Sequence, residues 1–178
     1  MDKVAFLFPG QGAQSVGMGK DLCEAYPRAR DLYDRAAEIL DFDLPGLCFS
    51  GPEEKLASTQ YSQPAILVTS LAVLEVVRNE TRLSLVKPVA AAGLSLGEYT
   101  ALTFAAALRF EDAVKLVTRR GQAMHEASLK RRGGMLSVIG LSETQVGEVV
   151  TKASSAGYLT ASNFNSPEPV MAQVGSEV

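Results

Sequence analysis

The apolar positions along the chain alternate between short continuous runs and longer stretches with helical spacing. The first run, residues 4–8, is continuous and stops at Pro9 and Gly10. A strand that is apolar on both sides is typical of the interior of a parallel sheet covered by helices. We therefore predict that residues 4–8 form an inner strand of such a sheet.

Helical periodicity follows over residues 21–40, with a break at Pro27. Prolines and glycines between residues 42 and 60 predict irregular or short helical structure. A longer helix is then predicted to begin with Pro64 in its first turn. Apolar side chains go nearly all round this helix over residues 66–77, which predicts that it lies buried inside the domain.

A glycine-flanked serine divides the middle of the chain. The sequence G-L-S-L-G at residues 93–97 lies between a short apolar run, residues 89–92, and a helix-forming stretch, residues 98–108. A strand, a sharp turn and a helix are the context in which G-x-S-x-G exposes a nucleophilic serine at a helix N-terminus. The pattern favours Ser95 as a nucleophile for acyl transfer, and the alternative is an ordinary loop serine between glycines.

The loop after the first strand, P-G-Q-G-A-Q at residues 9–14, is the second candidate for chemistry. Two glycines around Gln11 let the backbone turn tightly and expose its N–H groups. The loop lacks the Lys-Ser/Thr ending of a nucleotide-binding P-loop, which argues against nucleotide binding. A plain strand-to-helix connection is the alternative.

A helix predicted over residues 110–128 places Arg120 within an apolar stripe. The stripe consists of Ala113, Leu116, Val117 and Met124. A guanidinium cannot lose its charge on such a face, so it needs an anionic partner or water. The pattern leaves two interpretations open: a structural ion pair with a carboxylate such as Glu98, or a fork for a substrate carboxylate.

The last part of the chain predicts a strand over residues 134–140, a helix over 142–155 and a strand over 158–163. Ser142 is a candidate N-cap, with Gln145 at the capping-box position. A turn and a further short apolar run follow. This order predicts a small second lobe that the chain does not close.

The composition gives 178 residues, 47% hydrophobic and 21% charged, with a net charge of −3. That is enough for one sizeable core, or for one core with an incomplete second lobe. With the element order above, we place the core at residues 1–130 and the incomplete lobe at 131–178. Mild acidity argues against a nucleic-acid partner. The two cysteines, Cys23 and Cys48, predict neither a disulfide framework nor a metal site.

Interruptions by Glu98 and the glycine-serine turn argue against a membrane span over residues 89–108. The only histidine in the sequence is His125. It diverges from the face of Arg120, so we interpret it as an ordinary residue near a helix end and not as a catalytic base.

Four motifs resemble those of the malonyl-CoA:acyl-carrier-protein transacylases and the related polyketide acyltransferase domains. They are F-P-G-Q-G-A-Q at residues 8–14, G-L-S-L-G-E-Y at 93–99, R-G-Q-A-M at 120–124 and N-F-N-S-P at 163–167. Each motif alone is weak evidence. All four occur in family order, with similar spacing, over essentially the whole chain.

The resemblance implies an α/β-hydrolase-like parallel sheet with a nucleophile elbow and an incomplete ferredoxin-like small lobe. It implies that Ser95 is the catalytic nucleophile. It also implies that the backbone N–H groups of Gln11 and Leu96 form the oxyanion hole, and that Arg120 binds the malonyl carboxylate through both guanidinium branches.

The implied reaction is transfer of a malonyl group from malonyl-CoA to the phosphopantetheine thiol of acyl carrier protein. It proceeds through a malonyl-serine intermediate, in cytoplasmic fatty acid biosynthesis. The resemblance implies no cofactor and no metal. Malonyl-CoA and acyl carrier protein are the expected partners, with neither nucleic acid nor membrane.

The chain also departs from the family pattern. Leu94 stands where the family often has histidine, and P-E-P at residues 167–169 replaces a usual P-G-Q. Family members are longer, and their catalytic histidine lies in a later segment that this chain lacks. We therefore expect the N-terminal part of a transacylase, with no visible general base. The alternatives are a non-catalytic acyl- or carrier-binding remnant and a general serine esterase.

Overall fold

The chain contains both helices and strands in the computed structural model, so the mixed α/β fold is confirmed. The structure describes residues 3–80, 88–130, 133–165 and 170–177. These residues cluster into two units, Met1–His125 and Glu126–Val178. The boundary that we placed after residue 130 stays a prediction.

The sheet of the first unit pairs β1 (Ala5–Phe8) in parallel with β2 (Ala90–Gly93). The predicted parallel pairing is therefore present, but the predicted burial of both faces of β1 is wrong. Phe8 is buried whereas Leu7 is 78% exposed. Phe6 and Phe8 both pack against Phe104. Leu7 alternates to the opposite face, which the described residues leave largely open.

Four helices lie between β1 and the long central helix along the chain. They are α1 (Lys20–Ala25), α2 (Pro27–Ile39), α3 (Leu44–Ser50) and α4 (Glu53–Ala57). The break at Pro27 and the short helical structure that follows are as predicted. Asp43 caps α3, since its carboxylate accepts the Gly46 N–H at 2.9 Å.

The central helix α5 (Thr59–Glu80) is buried over most of its apolar length, as its sequence predicts. Its buried apolar residues are Ala65, Ile66, Leu67, Val68, Leu71, Ala72, Leu74 and Val76. Val73 is the departure, because it is 44% exposed. This helix forms the centre of the core of the first unit.

The predicted start of α5 is wrong. The Ser58 carbonyl accepts the N–H groups of both Tyr61 and Ser62, each at 2.9 Å. The helix therefore begins at Thr59 and places Pro64 beyond its first turn. Proline has no N–H to donate, so the carbonyl of Gln60 lacks its usual partner within the helix.

Two further helices, α6 (Gly97–Phe104) and α7 (Phe110–Lys130), follow β2. The buried positions of α7 are Ala113, Val114, Val117 and Gly121. The predicted stripe is thus wrong at Leu116 and Met124, which are 46% and 42% exposed. The buried face follows the i, i+4 row from Ala113 through Gly121, and this leaves both of those side chains at its margins.

The second unit contains β3 (Gly133–Leu141), α8 (Glu143–Ala153), β4 (Tyr158–Phe164) and β5 (Val170–Glu177). Its strands form an antiparallel sheet in the order β3-β5-β4. The capping box of Ser142 and Gln145 is confirmed, and Val146 of α8 is fully buried. The turn is predicted over residues 165–169, of which residues 166–169 lie outside the described residues.

In the part of the chain that the structure describes, no helix has the length and apolar character that crossing a membrane requires.

The contrast between two valines of α5 tests the location of the core. Val68→Ala removes methyl groups from a fully buried site, so we expect it to lower the free energy of unfolding by about 1.5–3 kcal/mol. Val73→Ala makes the same change on the same helix at a half-exposed site, and we expect less than about 1 kcal/mol. Urea unfolding followed by circular dichroism measures both, and equal losses would place the core elsewhere.

Candidate active site

Ser95 lies at a sharp turn between β2 and α6. Its φ is 51°, in the left-handed region that costs energy for a residue other than glycine. The Leu94 carbonyl accepts the Gly97 N–H at 2.9 Å, and the Ser95 carbonyl accepts the Glu98 N–H at 3.2 Å. These bonds tighten the turn and leave the Ser95 side chain exposed. The strand–turn–helix arrangement predicted from the sequence is present.

The glycines around this turn permit close backbone contact. A Cβ on Gly97 would lie against the Phe8 carbonyl oxygen and 2.9 Å from the Pro9 carbonyl oxygen. A Cβ on Gly93 would collide with the carbonyl group of Gly97. Both positions therefore need glycine for packing reasons, because α6 starts directly against the ends of β1 and β2.

The loop that carries Gln11 lies against the same turn. A Cβ on Gly10 would stand 2.7 Å from the Leu94 carbonyl oxygen. The Leu94 N–H in turn donates to the Phe8 carbonyl at 3.2 Å. The Gln11 side chain donates from Nε2 to Thr59 Oγ1 at 3.1 Å, which ties the loop to the start of α5.

The amide N–H groups of Gln11 and Leu96 have no protein acceptor among the described residues. Leu96 is fully buried through its side chain, which anchors the turn, while its N–H lies at the N-terminal end of α6. A free N–H group at a helix N-terminus carries partial positive charge, so it can donate a hydrogen bond to an oxyanion that forms on a bound substrate. The oxyanion-hole role of both groups stays a prediction.

Arg120 reaches from α7 to the serine. Its Nη2 donates to Ser95 Oγ at 2.8 Å, and its Nη1 donates to Gln63 Oε1 at 2.7 Å. The guanidinium carbon also lies 5.6 Å from the centre of the Tyr99 ring, within the range of a cation–π contact. The structure therefore brings together Ser95 and Arg120, two residues that the sequence analysis singled out separately.

The alternative of an ion pair between Arg120 and Glu98 is wrong. Glu98 is exposed, and no carboxylate of the described residues lies within ion-pair distance of Arg120. Both hydrogen-bond acceptors of the guanidinium are neutral. Its positive charge is therefore directed toward the serine without a compensating charge.

Gln63 is the site residue that sequence reasoning missed. It is fully buried on α5, and its Nε2 donates to Met124 Sδ at 3.2 Å. A buried amide needs partners for both its oxygen and its nitrogen. The available signal was its position, because it is a polar residue that directly precedes the apolar run of residues 64–68.

Among the described residues, the side-chain contact of Ser95 involves neither a thiol nor a metal-ligating group. Burial raises the pKa of the Cys48 thiol to about 12, so it is protonated at neutral pH. The hydrogen bonds of Ser95 and Arg120 do not involve His125. Within residues 3–80, 88–130, 133–165 and 170–177, no group of three or more His, Cys, Asp or Glu side chains is placed to hold a metal.

Comparison with known proteins gives the family of the chain. The family model described as the acyl transferase domain matches residues 5–177. The chain belongs to the acyl transferase domain family. The match runs from β1 to the end of β5, so it includes the serine turn and Arg120.

Individual proteins named malonyl CoA-acyl carrier protein transacylase also match the chain. The chain is 44% identical over 172 residues to a malonyl CoA-acyl carrier protein transacylase of Bacillus subtilis, covering 96% of this chain and 53% of that protein. The crystal structure of a Clostridium perfringens transacylase of the same name matches at a TM-score of 0.87 and 40% identity, over 99% of this chain and 54% of that one. The chain therefore spans about half the length of these relatives.

A third match is the structure of a malonyl-transacylase in complex with a type II polyketide acyl-carrier protein. It has a TM-score of 0.87 and 35% identity, over 99% of this chain and 55% of the matched chain.

The close backbone contact at the serine turn predicts that one added methyl group lowers the stability there, whereas the same addition on an open helix face does not. Gly97→Ala places a Cβ against two carbonyl oxygens, so we expect clear destabilisation, by about 1–3 kcal/mol. Gly147→Ala is the control, because it lies within α8 with no atom near the added Cβ. There we expect a neutral or slightly stabilising effect. Thermal unfolding checks both variants, and a harmless Gly97→Ala would contradict the packing of this turn.

Proposed function

We propose that Ser95 accepts a malonyl group from malonyl-CoA and passes it to the phosphopantetheine thiol of acyl carrier protein, in fatty acid biosynthesis. The observation that carries this proposal is the 2.8 Å hydrogen bond between Arg120 Nη2 and Ser95 Oγ. It places a cation beside the hydroxyl, within reach of any acyl group attached there. Family membership supports acyl transfer, and the names of the relatives support malonyl.

Arg120 supplies the selectivity for malonyl in this proposal. A malonyl group differs from an acetyl group by a free carboxylate, and a guanidinium can donate two parallel hydrogen bonds to a carboxylate. Arg120 has no carboxylate of the described residues to compete with the substrate. An acyl group without a carboxylate leaves this charge unpaired in a partly buried site and so binds less well.

The first half-reaction forms the acyl-enzyme. Ser95 Oγ attacks the thioester carbonyl carbon, and the N–H groups of Gln11 and Leu96 stabilise the oxyanion of the tetrahedral intermediate. The carbon–sulfur bond then breaks. The departing coenzyme A thiolate takes up the proton that the serine hydroxyl gave up.

The second half-reaction reverses these steps with a different thiol. The phosphopantetheine thiol of the carrier attacks the serine ester, the ester bond breaks, and Ser95 regains its proton. One serine serves both steps because both pass through a similar tetrahedral intermediate. The matched malonyl-transacylase in complex with an acyl-carrier protein supports this partner.

This proposal and its alternatives differ in whether a group must accept the hydroxyl proton of Ser95. Arg120 bonds to the serine oxygen but cannot accept a proton. The family resemblance assigns the base to a later histidine. A non-catalytic acyl- or carrier-binding protein is the second candidate, because the group that contacts Ser95 Oγ in the described residues is a donor and not a base. A general esterase has no use for the charged fork, so the site does not favour it.

The proposal also covers the type of each sheet, the cofactor requirement and the place in the cell. β1 and β2 followed by the serine turn support an α/β-hydrolase-like sheet, and the antiparallel sheet with α8 supports a ferredoxin-like lobe. A ping-pong thioester exchange through a serine needs no cofactor or metal. We place this chemistry in the cytoplasm.

Acylation of Ser95 tests the proposal. After long incubation with malonyl-CoA, we expect peptide mass spectrometry to find a malonyl ester on Ser95 and none in Ser95→Ala. Arg120→Ala should reduce the preference for malonyl-CoA over acetyl-CoA by about 10- to 100-fold, as expected for hydrogen bonds to a charged group. Arg119→Ala is the matched control, because that neighbouring side chain is exposed and we expect no change in preference.

Two results would count against the proposal. Equal labelling by acetyl-CoA and malonyl-CoA, unchanged in Arg120→Ala, would remove the carboxylate role. Binding of malonyl-CoA with no ester on Ser95 at any incubation time would favour the binding remnant.

A further inference from the structure

The hydrogen-bond chemistry around Gln63 determines which way its amide faces. The guanidinium of Arg120 can only donate, so the atom 2.7 Å from its Nη1 must be the amide oxygen. The thioether of Met124 can only accept, so the atom 3.2 Å from its sulfur is the amide nitrogen. A flipped amide would set two donors against each other. Gln63 therefore has one favourable orientation between Arg120 and Met124.

The contact between α5 and α7 makes this arrangement possible. A Cβ on Gly121 would lie 2.8 Å from the Thr59 carbonyl oxygen and 3.1 Å from the Gln60 Cα. The two helix backbones therefore approach as closely as a glycine allows, at the residue that follows Arg120. The fully buried Gln63 lies one turn further along α5, where it reaches the guanidinium directly.

We propose that Gln63 is a positioning residue that determines acyl specificity. Its amide oxygen holds Arg120 Nη1, so that Nη2 points at Ser95, and its neutrality leaves the positive charge available for an acyl carboxylate. This inference rests on the proposed malonyl transfer and adds to it. It assigns selectivity for a carboxylated acyl group to the pair of Gln63 and Arg120, with Arg120 contacting the substrate and Gln63 acting through it.

This inference depends on Gln63 carrying a neutral amide and not a carboxylate. Glutamate has nearly the same shape as glutamine, but its carboxylate at this site would pair with the guanidinium and compensate its charge. The carboxylate of the substrate would then approach an ion pair with no net charge, and the carboxylate of the introduced glutamate would repel it. An amide orients the guanidinium with a good hydrogen bond and adds no net charge.

The Gln63→Glu variant tests this inference by calorimetric binding, which needs no turnover. We expect the wild-type chain to bind malonyl-CoA more tightly than acetyl-CoA by about 10- to 100-fold. In Gln63→Glu that ratio should fall to about 1, because malonyl-CoA binding weakens while the Kd of acetyl-CoA stays within about twofold. A purely structural defect would weaken both ligands together.

Two further variants separate charge from orientation and from misfolding. Gln122→Glu places the same new charge on the helix of Arg120, two residues away and facing elsewhere, so the ratio should stay at its wild-type value. Gln63→Met keeps the approximate volume but removes the amide acceptor. We expect it to lower the ratio by about tenfold, less than Gln63→Glu, because the guanidinium keeps its charge and loses its anchor.

Nuclear magnetic resonance of ¹⁵N-labelled arginine reports the anchor directly. A guanidinium held at both branches rotates slowly, so Arg120 should give separate Nη signals in the wild-type chain and averaged signals in Gln63→Met. This readout depends on neither ligand binding nor activity, and it stays available should Gln63→Glu fail to fold.

The outcomes distinguish this inference from the function on which it rests. A wild-type chain that binds both ligands equally would overturn the carboxylate fork itself. A wild-type preference for malonyl-CoA that survives in both Gln63→Glu and Gln63→Met would leave the fork in place and overturn the role of Gln63. Unchanged Arg120 signals in Gln63→Met would likewise overturn the anchor.

Discussion

The site depends on one cation that is held by neutral groups. Arg120 donates to the Gln63 amide and the Ser95 hydroxyl, and its guanidinium lies near the Tyr99 ring. A charge in such a place is costly unless it is hydrogen-bonded, and these contacts meet that need without neutralising it. The result is a preorganised positive group beside the serine that we propose as the nucleophile, an arrangement that suits acyl transfer from a carboxylated donor.

Close backbone approach is what places these groups. Gly93 and Gly97 let the serine turn pack against the strand ends, and Gly121 lets α7 touch the start of α5. The strained φ of Ser95 persists because Leu96, the next residue, is buried in the core. The geometry of the site thus depends on backbone contacts that a Cβ at any of these glycines would break. The polar side chains then form their hydrogen bonds within that backbone arrangement.

Local pattern predicted much of the fold, including the break at Pro27, the serine turn and the capping box of Ser142. These features depend on neighbouring residues, so periodicity and capping chemistry suffice. The prediction that β1 is buried on both faces is wrong, because the exposure of Leu7 depends on which distant elements cover the sheet. The contacts of Gln63 were missed for the same reason, since its partners Arg120 and Met124 lie on another helix. Three-dimensional distances were also needed to exclude the ion pair between Arg120 and Glu98.

A crystal structure of Ser95→Ala with malonyl-CoA bound tests the central claim most directly. The account predicts that the malonyl carboxylate lies within about 3.2 Å of the Arg120 guanidinium, while Nη1 still donates to Gln63. A carboxylate bound by another cation, or an Arg120 side chain turned away from the ligand, would contradict it.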